Sequence, residues 1–312
     1  MIELVLWIPL FIIGYLVIFF AADVFLDNLK DVCLIYGVSP FILGALIIGI
    51  DPEESIASII AALSGLFYIS VGNVIGNSII ALTISFAVPA FFYKVSFKSL
   101  PQFYFSLLYI CVLLILIGSL THFGFLIVGL VVIFIYFLYF LINIKHLREE
   151  TEEGIDNGEL KAKPKFRKII LTALSFVFIF LGGELLIFST EQILLLTNIP
   201  ETFFGIVIIA FVTNVEELTL VIKSVKKRSI EIGLGGMIGK IFWNLTLTFG
   251  ISAIILVNFD LSLIIFWNWL ILLILILYFN WISKKKVIKW NDGIFLTVVL
   301  LFFLLINFRI IV

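Results

Sequence analysis

Apolar stretches follow one another along almost the whole chain, separated by short polar breaks. Windows of about 20 apolar residues, the length that crosses a bilayer as a helix, predict ten membrane spans. These lie at residues 4–26, 39–63, 68–92, 102–118, 123–143, 168–190, 201–222, 230–257, 261–282 and 291–311. The breaks at 64–67 and 119–122 are short. The first span has no basic leader and no small-residue cleavage site, so we expect it to be retained and not to act as a signal peptide.

One long polar stretch, residues 144–167, divides the spans into two sets of five. Its density of charged residues is too high for packing, which predicts a flexible linker between 1–143 and 168–312. Because each half has an odd number of spans, the second half would enter the membrane from the opposite side. The predicted fold is therefore an all-α membrane protein, with ten transmembrane helices arranged as two inverted five-helix repeats.

Basic residues are distributed unevenly over the two faces of this predicted topology. One face holds 18 of the 20 Lys and Arg residues, whereas Arg309 lies on the other face and Lys240 lies inside a span. The positive-inside rule then places the linker in the cytoplasm and both termini outside the cell. With 63% hydrophobic and 13% charged residues, we expect a multi-pass protein of the cell membrane whose partners are lipid and transported inorganic cations. Nothing in the sequence indicates a nucleic-acid or protein partner.

One pattern of acids and small polar residues occurs in both halves. An acidic break at Asp51–Pro52 precedes Glu54, and Asn77 follows Glu54 after 23 residues. Lys240 follows Glu217 after the same 23 residues, and a glycine follows each of the two glutamates after 18. Glycines recur at i,i+4 spacing in the following segments, at 72 and 76 and at 235 and 239, which is typical of close helix packing. Duplicated acids in interrupted apolar segments are typical of transporters built from repeats.

Acidic residues inside membrane spans suggest a cation site. Seven lie in or beside the predicted spans: Asp23, Asp51, Glu53, Glu54, Glu184, Glu216 and Glu217. An acid at mid-membrane costs about 3 kcal/mol, so a group of them needs a cation, protons or water. Carboxylate, amide and backbone carbonyl oxygens suit a hard ion such as Ca²⁺.

The position of each acid along its helix indicates which acids are cation ligands and which lie beside the site. Adjacent side chains point about 100° apart on a helix. We therefore expect the repeat-matched Glu54 and Glu217 to be ligands, with Glu53 and Glu216 either beside the site or facing water. Two further acids, Asp23 and Glu184, fit a site role and a solvated interfacial role about equally well.

Lys240 is the unusual member of the pattern. It shares a helix face with Asn244, so we expect it to point into the same cavity as the acids. An ammonium there would need an acidic partner. The candidate partners are Glu217, Glu184, Glu216 and Glu54. The alternative is a lysine that extends to the nearer membrane surface. The sequence does not decide whether Lys240 takes the place of a transported ion.

Two stretches carry a family resemblance. Thr213-Asn214-Val215-Glu216-Glu217-Leu218 and Gly72-Asn73-Val74-Ile75-Gly76-Asn77 resemble the two α-repeat motifs of the cation/Ca²⁺ exchanger superfamily, approximately GTSLPE and GNxxGSN. The resemblance covers nearly the whole chain, and Asp23 and Glu184 match an acid in the span that opens each half. It implies that Glu54 and Glu217 are the central divalent-ion ligands and that spans one and six are long gating helices. The further implied site residues are Asn73, Asn77, Thr213, Asn214 and Asn244.

The chain also departs from these motifs. No Gly-Thr-Ser piece precedes Asp51–Pro52, while Gly236 and Lys240 stand where the family has asparagine and serine. We expect a secondary active antiporter that exchanges a divalent cation, with Ca²⁺ the first candidate, for Na⁺ or H⁺ by alternating access and without a bound cofactor. One alternative is a divergent member with altered cation selectivity, or a non-transporting sensor or scaffold. An intramembrane enzyme is disfavoured because no nucleophile–base pair is evident.

Overall fold

The protein is almost entirely helical. The computed structural model describes residues 2–35, 51–97, 102–121, 124–154, 166–226, 230–257 and 262–308. Within these ranges, seven helices are long and apolar enough to cross a membrane, and two shorter apolar helices accompany them. The prediction of an all-α, multi-pass membrane protein is confirmed.

The helices of the first half follow the predicted apolar segments. They are α1 (Ile2–Ile35), α2 (Pro52–Leu63), α3 (Phe67–Phe92), α4 (Gln102–Gly118) and α5 (Gly124–Gly154). A short turn separates α2 from α3, and residues 119–121 turn after α4, at the two short breaks in the hydrophobic pattern. The predicted break at Asp51–Pro52 is confirmed, because α2 begins at Pro52 with Asp51 as its N-cap. The stretch before it, including Gly44, lies outside the described residues.

The helices of the second half are less regular. They are α6 (Phe166–Leu196), α7 (Glu201–Thr213), α8 (Val215–Lys226), α9 (Ile230–Trp243), α10 (Phe249–Ile255), α11 (Leu263–Lys285) and α12 (Trp290–Phe308). Asn214 leaves the helical conformation and divides the predicted span 201–222 into α7 and α8. Two π-helical turns were not predicted: Phe204–Ile209 inside α7 and Asn244–Thr248 between α9 and α10. Such turns occur frequently at functional sites.

Helices extend into both ends of the polar segment 144–167. Helix α5 continues through its first part to Gly154, and α6 begins at Phe166, before the segment has ended. The residues between 143 and Gly154 are mostly good helix formers without proline, which explains why the helix continues into this charged stretch. Residues 155–165 lie outside the described residues.

A small antiparallel pairing joins the two halves at one end of the molecule. Strand β1 (Val95–Ser96) pairs with strand β2 (Val287–Ile288). The α3–α4 and α11–α12 connections are therefore at the same end. Both connections lie on the face that the sequence predicts to be basic.

Buried apolar side chains form two clusters. The main core surrounds α3, which is buried along most of its length, and includes α4, α5, α7 and α9–α12. The second cluster, which we call the α1–α6 cluster, packs these two long helices against α2 and includes Phe11, Ile18, Ile60 and Leu186. Its helices approach closely, since a Cβ added at Gly14 would lie 2.7 Å from the backbone nitrogen of Leu186.

Candidate functional site

The site forms where helices of both halves begin. The Asp51 carboxylate accepts a hydrogen bond of 3.2 Å from the backbone N–H of Glu54, which holds both acids in the first turn of α2. In the second half, Glu217 occupies the first turn of α8, directly after the break at Asn214. The positive end of a helix dipole stabilises negative side chains in a first turn. The helix breaks therefore bring acids to the site and offset part of their charge.

Lys240 is at the centre of these acids. Its ammonium nitrogen lies 2.7 Å from Asp51 Oδ2 and 2.9 Å from Glu54 Oε1, and it also contacts Glu217 Oε1. The three carboxylates converge so that one oxygen from each lies within 4.8 Å of the others. Lys240 is only 7% exposed, so the alternative in which it extends to the membrane surface is wrong. The expected ion pair is present, and Asp51 is a partner that we did not predict.

Glu54 is also held by a hydrogen-bond chain from the π-helical turn. The Asn244 amide donates to Glu54 Oε2 at 2.8 Å, and the Thr248 hydroxyl donates to Asn244 Oδ1 at 3.2 Å. Ser55 and Thr248 share a hydrogen bond of 2.7 Å, and the Trp243 indole donates to Ser55 at 2.8 Å. Three residues of this chain were not predicted from the sequence: Ser55, Trp243 and Thr248. The i,i+4 spacing of Asn244 and Thr248 is the signal that could have identified Thr248.

Amide side chains from both halves form a second part of the site. Asn77 donates a hydrogen bond of 2.9 Å to the Thr213 hydroxyl, and Asn214 donates to the Asn77 backbone carbonyl at 3.3 Å. Asn73 donates to the Ser58 hydroxyl at 3.0 Å. The donors of these amides are thus engaged with protein oxygens. Their Oδ1 atoms are buried and have no hydrogen-bond partner among the described residues, so they remain available to a cation.

Glycines on α3 allow this close approach of the two halves. A Cβ at Gly76 would overlap the carbonyl oxygen of Ile206, and one at Gly72 would lie 2.9 Å from the Ile206 side chain. The packing role expected of this glycine pair is confirmed. For Gly235 it is wrong, since a Cβ there would meet nothing within 4 Å.

The remaining candidate acids occupy different surroundings. Glu53 is buried beside Glu54 in the first turn of α2. Asp23 on α1 and Glu184 on α6 have exposed side chains, and neither is among the acids in contact with Lys240. The side chain of Glu216 lies outside the described residues.

The charges and donor atoms of the site suit a small cation. When they are ionised, the three carboxylates and the ammonium in contact with them have a net charge of −2. A buried excess of negative charge is costly unless a cation compensates it. The neighbouring amide oxygens add the hard ligands that Ca²⁺ and similar ions take.

Comparisons with known proteins agree with this architecture. The sequence profile of the sodium/calcium exchanger protein family matches residues 6–145 and 167–309. An uncharacterized membrane protein of Methanocaldococcus jannaschii is 23% identical over 76% of this chain and 78% of its own length. The inner membrane protein YrbG of Escherichia coli is 24% identical over 79% of each chain.

Solved structures show the same fold. The sodium-calcium exchanger NCX_Mj, in crystals soaked with Na⁺ and Sr²⁺, superposes with a TM-score of 0.64 over 97% of this chain and 98% of its own, at 18% identity. A second structure of that exchanger gives a TM-score of 0.59 over 95% of this chain and 96% of its own, also at 18% identity. Since the family profile covers both halves, the chain is a membrane protein of the sodium/calcium exchanger family, a family of ion-transporting antiporters.

Proposed function

We propose that the protein exchanges a divalent cation, with Ca²⁺ as the first candidate, for Na⁺ or H⁺ across the cell membrane. The observation that carries this proposal is the buried convergence of Asp51, Glu54 and Glu217 at helix breaks from both halves. Intramembrane acids that face one another are typical of ion pathways. Family membership supports cation antiport as the general activity and favours a transporter over an enzyme.

The proposed ligand set combines the carboxylates with nearby amide and hydroxyl groups. Glu54 and Glu217 are its central members, Asp51 supports them, and Asn244 orients Glu54. The neighbouring members are Asn73, Asn77, Thr213 and Asn214. Three of the amide oxygens have no hydrogen-bond partner among the described residues, which fits a role as cation ligands. Glu53, buried in the same turn as Glu54, contributes negative charge at the edge of this set.

Exchange follows from competition for these oxygens. A divalent ion and its counter-ions cannot occupy the same carboxylates together, so each change of access occurs with either the divalent ion or its counter-ions bound. The proposed architecture is ten spans in two inverted repeats, 1–143 and 168–312, that expose the site alternately to each side. The division into two apolar clusters supports a movement of α1 and α6 relative to the main core.

The proposed orientation has the segment 144–167 in the cytoplasm and both termini outside. Two contacts support the prediction of which ends of the helices lie at the cytoplasmic face and which lie at the external face. Strand β1 pairs with β2, joining two connections that are both predicted to be cytoplasmic. The Glu201 carboxylate accepts a hydrogen bond from the backbone N–H of Tyr68, which joins the first turns of α7 and α3, both predicted to lie at the external face.

Flux through the purified protein in liposomes tests the proposal. We expect radioactive Ca²⁺ to accumulate against its gradient when an outward Na⁺ or H⁺ gradient is present, and not after that gradient is abolished. Protein-free liposomes serve as the control. Accumulation of Mn²⁺ or Sr²⁺ but not Ca²⁺ would indicate a different divalent ion. A folded protein that moves none of these ions would support a sensor or scaffold role instead.

A further inference from the structure

We propose that Lys240 is a tethered counter-ion, whose ammonium takes the place of one monovalent cation in the exchange cycle. Each divalent ion is then exchanged for one fewer mobile cation than it would be with an uncharged residue at position 240. This inference rests on the proposed exchange of cations and specifies its charge balance.

The first support is the position of the ammonium. Lys240 Nζ contacts one oxygen from each of the three carboxylates, at 2.7 Å from Asp51 and 2.9 Å from Glu54. A bound monovalent cation would use these same oxygens. The Lys240 side chain extends from α9. Its ammonium, which is covalently attached to the protein, therefore occupies the position that a mobile cation would take.

The second support is the placement of Lys240 on α9. The helix directs the ammonium at the acids, and the rotatable bonds of the lysine side chain allow the ammonium to change position. Asn244, one turn after Lys240, donates to Glu54 Oε2 while Lys240 contacts Oε1 of the same carboxylate. A lysine head is a compact charge on a four-carbon stem with several rotatable bonds. A divalent ion that takes the carboxylate oxygens repels the ammonium, which can withdraw without unfolding of the helix. The ammonium stays attached, so it contributes its charge in every state of the cycle.

The third support is the charge balance. The three carboxylates together carry three negative charges, and Lys240 leaves two of them uncompensated. Glu53, buried in the same turn as Glu54, adds negative charge that is the same with or without the lysine. Replacing Lys240 by an uncharged residue therefore leaves one more negative charge for mobile cations to balance. One additional monovalent ion would then be exchanged for each divalent ion, and each cycle would move one additional net charge.

The test compares the voltage dependence of exchange in liposomes for the wild type and for variants at position 240. Reversal potentials are measured at membrane potentials set with K⁺ and valinomycin. Those of K240S and K240Q should correspond to one monovalent ion more per divalent ion than that of the wild type. K240R keeps the charge and should therefore keep the wild-type number of monovalent ions per divalent ion, whatever its transport rate. K284S, at an exposed lysine near the end of α11, is the matched control and should be unchanged.

Binding to detergent-purified protein decides the question for variants that fold without transporting. Titration of bound divalent ion with the monovalent counter-ion should show displacement by one ion more in K240S than in the wild type. An unchanged number in the variants, or an unchanged reversal potential, would overturn the tethered counter-ion alone. A folded wild-type chain that neither binds nor moves cations would overturn the proposed exchange, and this inference with it.

Discussion

Lys240 Nζ lies 2.7 Å from Asp51 Oδ2, although the two residues belong to different halves of the chain. The same Asp51 carboxylate caps α2 through its other oxygen, which accepts from the Glu54 backbone N–H. One side chain thus starts a helix and supplies charge to the site. Structural and electrostatic contributions of Asp51 are therefore separable by substitution.

We predict that D51N and D51A both lose divalent transport but differ in stability. Each variant removes a negative charge next to Lys240. Asparagine keeps an oxygen that can cap α2, whereas alanine loses the cap at a cost of about 0.5–2 kcal/mol. Transport assays with thermal unfolding in detergent check this. Wild-type transport by D51N would show that the Asp51 charge is not needed.

The glycines of α3 give a prediction with an internal control. In G76A the new methyl group would overlap the backbone of α7 at Ile206, so the two halves must separate slightly. Overpacking of this kind costs about 1–3 kcal/mol. G235A places the same group in open space, and a helical Gly→Ala change there should be neutral or stabilising by up to about 1 kcal/mol. Equal melting temperatures for the two variants would contradict the close α3–α7 crossing.

Glu201 provides the N-terminus of α3 with a cap from the other half of the chain. Its carboxylate accepts from the backbone N–H groups of Tyr68 at 2.8 Å and Ile69 at 3.2 Å. We expect E201A to lower the free energy of unfolding by about 1–2 kcal/mol, because two backbone donors lose their acceptor. E201Q keeps an acceptor oxygen and should lose less. If E201A unfolds at the wild-type temperature, this contact does not hold the halves together.

Asn268 and Asn307 form a reciprocal pair of amide hydrogen bonds, each 3.0 Å long, between α11 and α12. Both side chains are fully buried. We predict that N268L and N307L are each destabilising and that the double variant is less so than their sum. Coupling energies between membrane helices average about 0.6 kcal/mol, with a maximum of about 1.7. A double-mutant cycle by unfolding in detergent measures this value, and additive effects would refute the coupling.

Much of the candidate site was predictable because it follows from spacing. The 23-residue interval after each glutamate placed Lys240 with the acids, and the contact with Glu217 confirms it. The role of Asp51 also has a local signal in the sequence. Aspartate, proline and then glutamate three residues after the aspartate is the pattern of a helix N-cap, which brings Asp51 beside Glu54.

Other features had no local signal. The hydrogen bond between Ser55 and Thr248 joins residues 193 positions apart, and its geometry depends on the π-helical turn at Asn244–Thr248. An extra residue in a helical turn depends on tertiary packing, and apolar periodicity does not report it. The hydrophobic pattern likewise does not show that α5 continues beyond its apolar span, since the charged continuation to Gly154 is made of good helix formers.

The most direct test of the central claim, that Glu54 and Glu217 hold the transported divalent ion, is counter-ion-driven Ca²⁺ uptake into liposomes by E54Q and E217Q. Each substitution keeps the side-chain volume and removes one charge from the cluster around Lys240. E184Q, a glutamate with an exposed side chain on α6, is the matched control and should transport as the wild type does. The account predicts that E54Q and E217Q fold normally and take up no Ca²⁺. Uptake at the wild-type rate by either variant would contradict it.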